Sequence, residues 1–152
     1  MLMTTPSTTD LLNRLLVLHA RSLPVYLHYA PPAELASHPQ AKAVLDRIVE
    51  DHQRMADRLG ALILEQGGTV EYGEFPLRFT AYNDLSLKYL LPVLIDRQKK
   101  FIAACEKIAE MLATAPYAQA IAREAVGEAK GHLENLEDLQ RQLHGGTAGP
   151  GA

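Results

Sequence analysis

The chain has 152 residues, 47% of them hydrophobic and 22% charged, with a formal net charge of −3. This length and composition predict one globular domain with a hydrophobic core. The negative net charge argues against a nucleic-acid partner, a single cysteine excludes an internal disulfide, and no apolar run is long enough to cross a bilayer. The first residues also lack the pattern of a signal peptide, so we expect a cytoplasmic protein without a membrane partner.

Four helices and no strand are predicted from apolar residues at helical spacing. Residues 1–9 and 145–152 are rich in Thr, Ser, Gly and Pro, and we expect them to be disordered tails around a helical domain over residues 10–144. The predicted helices A to D span residues 10–30, 39–66, 84–113 and 116–144.

The predicted helix ends depend on residues that start or stop helices. Asp10 is expected to cap helix A, which the two prolines at 31–32 stop. The glycine pair at 67–68 is typical of a left-handed end to helix B. Pro116 suits the first turn of helix D.

The connection between helices B and C is long, whereas the other two connections are short. Residues 67–83 number 17 and reach ~55 Å when extended, which exceeds the ~40 Å length of helix B. This segment can return along the whole bundle and set helix C parallel to helix B. The sequence therefore predicts a four-helix bundle with one long B–C crossover, the topology of ferritin-like bundles.

A polar residue interrupts the middle of each apolar stripe. These residues are His19 on helix A, His52 on B, Gln98 on C and His132 on D. Counted from the predicted helix ends, they lie at the same height to within about one helical turn. We expect them to converge in one cross-section of the core, either as a metal site or as a metal-free layer in which the imidazoles and the amide satisfy one another.

Three segments resemble bacterioferritins and other ferritin-like proteins. The segment "LLNRLLVLHARSLPVYLHYA" resembles their first helix, "DHQRMADRL" their second-helix Glu-x-x-His-Ala-Asp-Arg segment, and "AKGHLENLE" their fourth-helix Glu-x-x-His motif. The resemblance covers about residues 11–143. It implies the ferritin-like four-helix bundle and, in the family, a carboxylate from helices A and C and a Glu-x-x-His pair from helices B and D.

The chain departs from that ligand pattern. At the corresponding positions it has His19 on helix A, His52 and Met55 on B, Gln98 on C, and Ala129 and His132 on D. Glu128, one residue before the position that the motif requires, borders the same face. Two buried iron ions need several anionic ligands, which three imidazoles and an amide do not provide.

A single transition-metal ion suits these ligands better, with Zn, Cu or Fe as the expected metals. We therefore expect a His-rich site for metal binding or redox use, with Glu128 and Met55 as possible further ligands. Two alternatives stay open: a pseudo-ferritin that keeps the fold as a structural or interaction module, and a di-iron oxidoreductase of the ferroxidase type with a shifted site. Whether the protein is an enzyme is left open.

The resemblance has further implications. Gln53 takes the position of the haem-ligating methionine of bacterioferritin, so no haem is expected. The N-terminal tail has no lysine, which argues against the DNA protection known from miniferritins. A homodimer or larger homo-oligomer is expected.

Two prolines suggest an access path. Pro24 follows His19 on helix A, and Pro92 precedes Gln98 on helix C, so both lie on the same side of the predicted layer. Because proline bends a helix, we expect the bundle to be looser there.

Overall fold

The architecture is all-helical over the part of the chain that this computed structural model describes, residues 5–148, with side chains described for residues 5–144. The α-helices are α1 (Thr8–Ala20), α2 (Leu23–Tyr29), α3 (Pro39–Glu65), α4 (Leu87–Met111) and α5 (Pro116–Ala148). Two 3₁₀ helices, Ala33–Ser37 and Leu77–Tyr82, lie in the connections. The predicted all-α class is confirmed. None of the described helices is long and apolar enough to cross a membrane.

The predicted helix A is two helices, and this corrects its bounds. Ser7, not Asp10, is the N-cap of α1, and the two residues form a reciprocal capping box. The helix stops at Ala20, and Ser22 caps α2, with Pro24 in its first turn. Pro24 therefore begins a new helix, where its missing N–H costs little, and does not bend a continuous one.

The other helix ends agree more closely with the predictions. Gly67, at φ +78°, follows α3 as the glycine pair predicted. Helix α4 starts at Leu87, three residues later than expected, behind Ser86. Helix α5 starts at Pro116 as predicted and continues to Ala148, into the segment expected to be a tail; residues 149–152 and 1–4 lie outside the described part.

Side-chain contacts give the directions in which the helices pack. Helices α4 and α5 are antiparallel, since Gln119 near the start of α5 bonds Ala109 near the end of α4. The ion pairs of α3 with α5, Arg54–Glu128 and Arg58–Glu124, likewise join antiparallel helices. Helix α1 packs antiparallel to α3, since Leu16 lies near Gly60 and His19 contacts His52.

The core consists of two hydrophobic clusters along the helix axes. The first contains Leu11–Leu16 of α1, Met55–Ile63 of α3, Phe101–Ala109 of α4 and Ala118–Ala129 of α5, through their apolar residues. The second contains apolar residues of α2, the first half of α3, Leu87–Ile95 of α4, Leu136 and Leu139. On each of α3, α4 and α5 a short gap separates the two clusters, and the buried polar residues His52, Gln98 and His132 lie in those gaps.

Candidate functional site

Four buried polar residues form a layer between the two hydrophobic clusters. His19, His52, Gln98 and His132 are 2%, 3%, 4% and 5% exposed. They occupy the middle of α3, α4 and α5 and the end of α1, as the interrupted stripes predicted. We call these four residues the polar layer.

An aromatic triangle forms the centre of the polar layer. The rings of His19 and His52 meet edge to face with centroids 5.0 Å apart. Phe101 lies 4.9 Å from each of them, stacked on His52 and edge to face with His19. Phe101 follows Gln98 by three positions on the same helical face, but it does not interrupt the apolar stripe and therefore did not stand out in the sequence.

In each of the two imidazoles of the triangle, one ring nitrogen is hydrogen-bonded to a neighbour. Nδ1 of His19 donates to the Leu15 carbonyl oxygen at 2.8 Å, which fixes the proton on Nδ1 because a carbonyl can only accept. Nδ1 of His52 and the Ser22 hydroxyl oxygen are 2.8 Å apart. In both rings Nε2 is the nitrogen that stays available for another partner.

Burial keeps both imidazoles neutral. Desolvation lowers the pKa of His19 from 6.5 to about 4, with His132 adding to the effect and the Leu15 bond opposing it. Desolvation, together with the neighbouring histidines, lowers the pKa of His52 well below its usual value. Neutral imidazole is the form that ligates metals.

The other side of the polar layer is charged. Asp51 Oδ2 lies 2.7 Å from His132 Nε2. The contact is electrostatic and lacks hydrogen-bond alignment, because Nε2 is buried without a hydrogen-bond partner among the described residues. Arg54 pairs with the second Asp51 oxygen at 2.8 Å and with Glu128 at 3.1 Å. We call Asp51, Arg54, Glu128 and His132 the ionic side.

The amide of Gln98 links α4 to α5 within the layer. Its Nε2 donates to the Ala129 carbonyl oxygen at 3.0 Å. The ring of His132 is 6.3 Å from that of His52, so the third histidine lies next to the triangle and outside it.

The two predicted additional ligands, Met55 and Glu128, make other contacts. Met55 is 3% exposed and packs in the first cluster. Glu128 is directed to Arg54 at the surface of the ionic side. Within the described side chains, no group of three or more His, Cys, Asp or Glu residues is arranged to hold a metal ion.

A cavity of about 330 Å³ reaches the polar layer from the junction of α1 and α2. Its lining includes Ser22, Leu23 and Pro24 from the junction, Leu94, Gln98 and Phe101 from α4, and His52 from α3. Looser packing was predicted on this side of the polar layer from Pro24 and Pro92, and the cavity lies next to Pro24. It arises from the helix break at residues 21–22, with Pro92 absent from the lining.

Two polar residues of the site were missed by the sequence analysis. Ser22 precedes "LPVY", a serine followed by an early proline, which is a helix-start signal that could have found it. Asp51 directly precedes His52, and only the packing of α5 against α3 reveals its contact with His132. Comparison with known proteins adds no further assignment, since no family model, curated protein or solved structure matches the chain.

Proposed function

We propose that the protein binds a single transition-metal ion at the polar layer, with His19 and His52 as the principal ligands and His132 as the third. The observation that carries the proposal is that His19 and His52, the two principal ligands, each have one ring nitrogen hydrogen-bonded to a neighbour, while a carboxylate lies against the ring of His132. Metal-ligating histidines characteristically use the second nitrogen in this way, which sets the ring orientation.

The partners are those that metal sites use. A backbone carbonyl accepts from His19, a hydroxyl bonds His52, and the Asp51 carboxylate lies against His132. Since burial keeps the first two rings neutral, they can ligate an ion near pH 7 without losing a proton.

Charge limits the site to one ion. The imidazoles supply no negative charge, and Asp51 is the carboxylate closest to them among the described contacts. Zn²⁺, Cu or Fe²⁺ suits nitrogen ligands of this kind. Two iron ions would need more carboxylates, and Glu128 is engaged by Arg54. The cavity beside His52 supplies room for a coordination position open to a small molecule, as redox use of the metal requires.

The packing directions support a ferritin-like arrangement as the scaffold. Antiparallel packing of α3 with α5 and of α4 with α5 implies that α3 and α4 run in the same direction. The connection over residues 66–86 then returns along the bundle, as it does in ferritin-like folds with one crossover.

A metal-free structural layer is the second candidate, and a specific observation favours it. The polar residues already bond within the chain: His19 to Leu15, His52 to Ser22, Gln98 to Ala129. No described group of acidic, histidine or cysteine side chains has metal-holding geometry. In this alternative the layer fixes the register of the helices and the protein acts as an interaction module.

Titration of chelator-treated protein with Co²⁺ separates the two candidates, followed by visible absorption and calorimetry. We expect one ion per chain. The variants His19→Gln and His52→Gln should bind about 100-fold more weakly or worse, since even loss of a ligand's orienting partner costs roughly 10–100-fold. His28→Gln is the matched control, because His28 is exposed and contacts Tyr29 at the surface.

The outcomes are distinct. If the wild-type chain binds no ion, the metal-site proposal is wrong and the result supports the metal-free structural layer. If the two core variants, shown to be folded by circular dichroism, bind Co²⁺ as the wild type does, the ligands lie elsewhere and the proposal is wrong.

A further inference from the structure

The cavity at the α1–α2 junction combines apolar walls with a positively charged lining. Its charged residues are three cations, Arg21, Arg97 and Lys100, and one carboxylate, Glu74. The walls between them are apolar, with Leu23, Leu94 and Phe101 among them. A cavity of this composition favours a ligand with an anionic group and an apolar body.

Among the three cations of the lining, Arg97 is the one that forms no hydrogen bond and no ion pair with the described residues. Arg21 donates to the Gly73 carbonyl oxygen at 3.0 Å, and Lys100 pairs with Asp96 at 3.0 Å. Arg97 is half-buried, and no carboxylate within the described residues forms an ion pair with it.

The aromatic ring beneath Arg97 holds its guanidinium in place. The guanidinium carbon lies 4.7 Å from the ring centroid of Phe79, a fully buried side chain. Burial, and the charge of nearby Arg78, lower the pKa of Arg97, although Tyr82 and Asp96 oppose the shift. A guanidinium fixed over a ring is ready to bind a planar carboxylate with two hydrogen bonds.

The volume sets the size of the ligand. At about 30 Å³ per water-sized group, the cavity of about 330 Å³ accommodates roughly ten non-hydrogen atoms. This corresponds to a monocarboxylate with a short aliphatic body.

We propose that the cavity binds a small organic carboxylate, with its head at Arg97 and its apolar body between Leu94 and Phe101. This inference goes beyond the metal site and does not depend on it, because the cavity, its charges and its walls are present in the metal-free chain. Bound there, the carboxylate would close the opening that leads to His52.

The experiment titrates chelator-treated protein with octanoate, followed by calorimetry and by amide NMR shifts. We expect saturable binding of one octanoate per chain. The neutral analogue 1-octanol should bind at least about tenfold more weakly, and inorganic phosphate, which lacks an apolar body, should not compete.

Variants of α4 test the role of the guanidinium. Arg97→Gln should weaken octanoate binding about tenfold or more, since the charge-assisted hydrogen bonds to the carboxylate are lost. Arg97→Lys should recover part of that loss. Lys99→Gln, an exposed cation on the same helix outside the cavity lining, is the matched control and should bind as the wild type does.

Three results would overturn the proposal. Equal affinity for octanol and octanoate would show that charge has no part in binding. Competition by phosphate at equal concentration would show that the cavity binds anions whether or not they have an apolar body. Unchanged binding by a folded Arg97→Gln variant would exclude Arg97. All octanoate titrations use chelator-treated protein. Their outcome is therefore independent of the Co²⁺ measurements that test the metal site.

Discussion

The two sides of the polar layer place the same residue type in opposite electrostatic environments. At the α1–α2 junction, His19 and His52 pack against each other and against Phe101, with a carbonyl and a hydroxyl as their partners. On the ionic side, between α3 and α5, His132 lies against the Asp51 carboxylate.

This difference shows that the surroundings of a histidine in the fold, and not its residue type, decide whether a positive charge on its ring would be compensated. The aromatic triangle offers no compensation for a positive charge, so its imidazoles stay neutral and available as ligands. The ionic side holds the negative charge nearest to the layer. A cation that enters the layer would therefore be ligated from one side and stabilised electrostatically from the other.

The largest expected effect is acid destabilisation by the aromatic triangle. The folded state lowers the pKa of His19 from 6.5 to about 4, so below pH 6.5 the unfolded chain binds a proton that the folded chain does not. The free energy of unfolding should fall by about 3 kcal/mol between pH 6.5 and pH 4 from His19 alone, and this contribution should be constant below pH 4. His52 adds to it in the same direction.

Urea denaturation at a series of pH values measures this loss. His19→Gln should flatten the pH dependence over that window, whereas His28→Gln, at an exposed histidine, should leave it as in the wild type. An unchanged slope in His19→Gln would assign acid sensitivity to the surface carboxylates.

Removal of the hydroxyl at the α1–α2 junction should have the next largest effect. Ser22 bonds Nδ1 of His52 and also caps α2, so Ser22→Ala loses two functions at once. We expect a loss of about 2 kcal/mol in unfolding free energy. Ser37→Ala, which removes an exposed hydroxyl bonded to the Glu34 carbonyl oxygen, should cost about 0.5 kcal/mol or less. Equal losses in the two variants would contradict a special role for Ser22.

Neutralisation of Asp51 on the ionic side should lower the free energy of unfolding by a smaller amount, because water reaches this carboxylate. Asp51→Asn removes the charge that faces both His132 and Arg54, and Asp51 is 21% exposed. We expect a loss of about 1 kcal/mol at low salt that shrinks as salt is added. Asp57→Asn, at an exposed position on the same helix, is the control and should be close to neutral. A loss that does not respond to salt would show that packing dominates there.

The smallest effect concerns the backbone of α5 next to His132. Gly131 is exposed, and a Cβ added to it meets no atom within 4 Å. Gly131→Ala should therefore raise the free energy of unfolding by up to about 1 kcal/mol, and the melting temperature with it. Gly67→Ala, at φ +78°, should lower it. A destabilised Gly131→Ala would indicate that this face of α5 is covered in an assembly of chains.

The sequence predicted the helices and the polar layer well because both depend on local periodicity. The interruption of each apolar stripe by His19, His52, Gln98 or His132 identifies residues that are all buried between the two clusters. The start of α5 at Pro116 and the end of α3 before Gly67 were likewise predicted, since proline and glycine restrict the backbone locally.

The partners of the layer depend on tertiary packing, which a single sequence does not reveal. The contacts of Phe101 with His19 and His52 join α4 to α1 and α3, and the contact of Asp51 with His132 joins residues 81 positions apart in the chain. The break in helix A is different, because its signal was local. The apolar periodicity through residues 11–27 outweighed the start signal at Ser22.

The burial of the single thiol gives the protein an internal reporter of its own motions. Cys105 is fully buried in the first cluster, and burial, with Glu106 adding to it, raises the pKa of its thiol to about 12. A thiol reagent in solution can therefore modify the chain only while α4 is transiently displaced from the helices that cover it. The rate of modification then measures how often this half of the core opens, and a ligand or ion that binds the polar layer from the cavity should slow it.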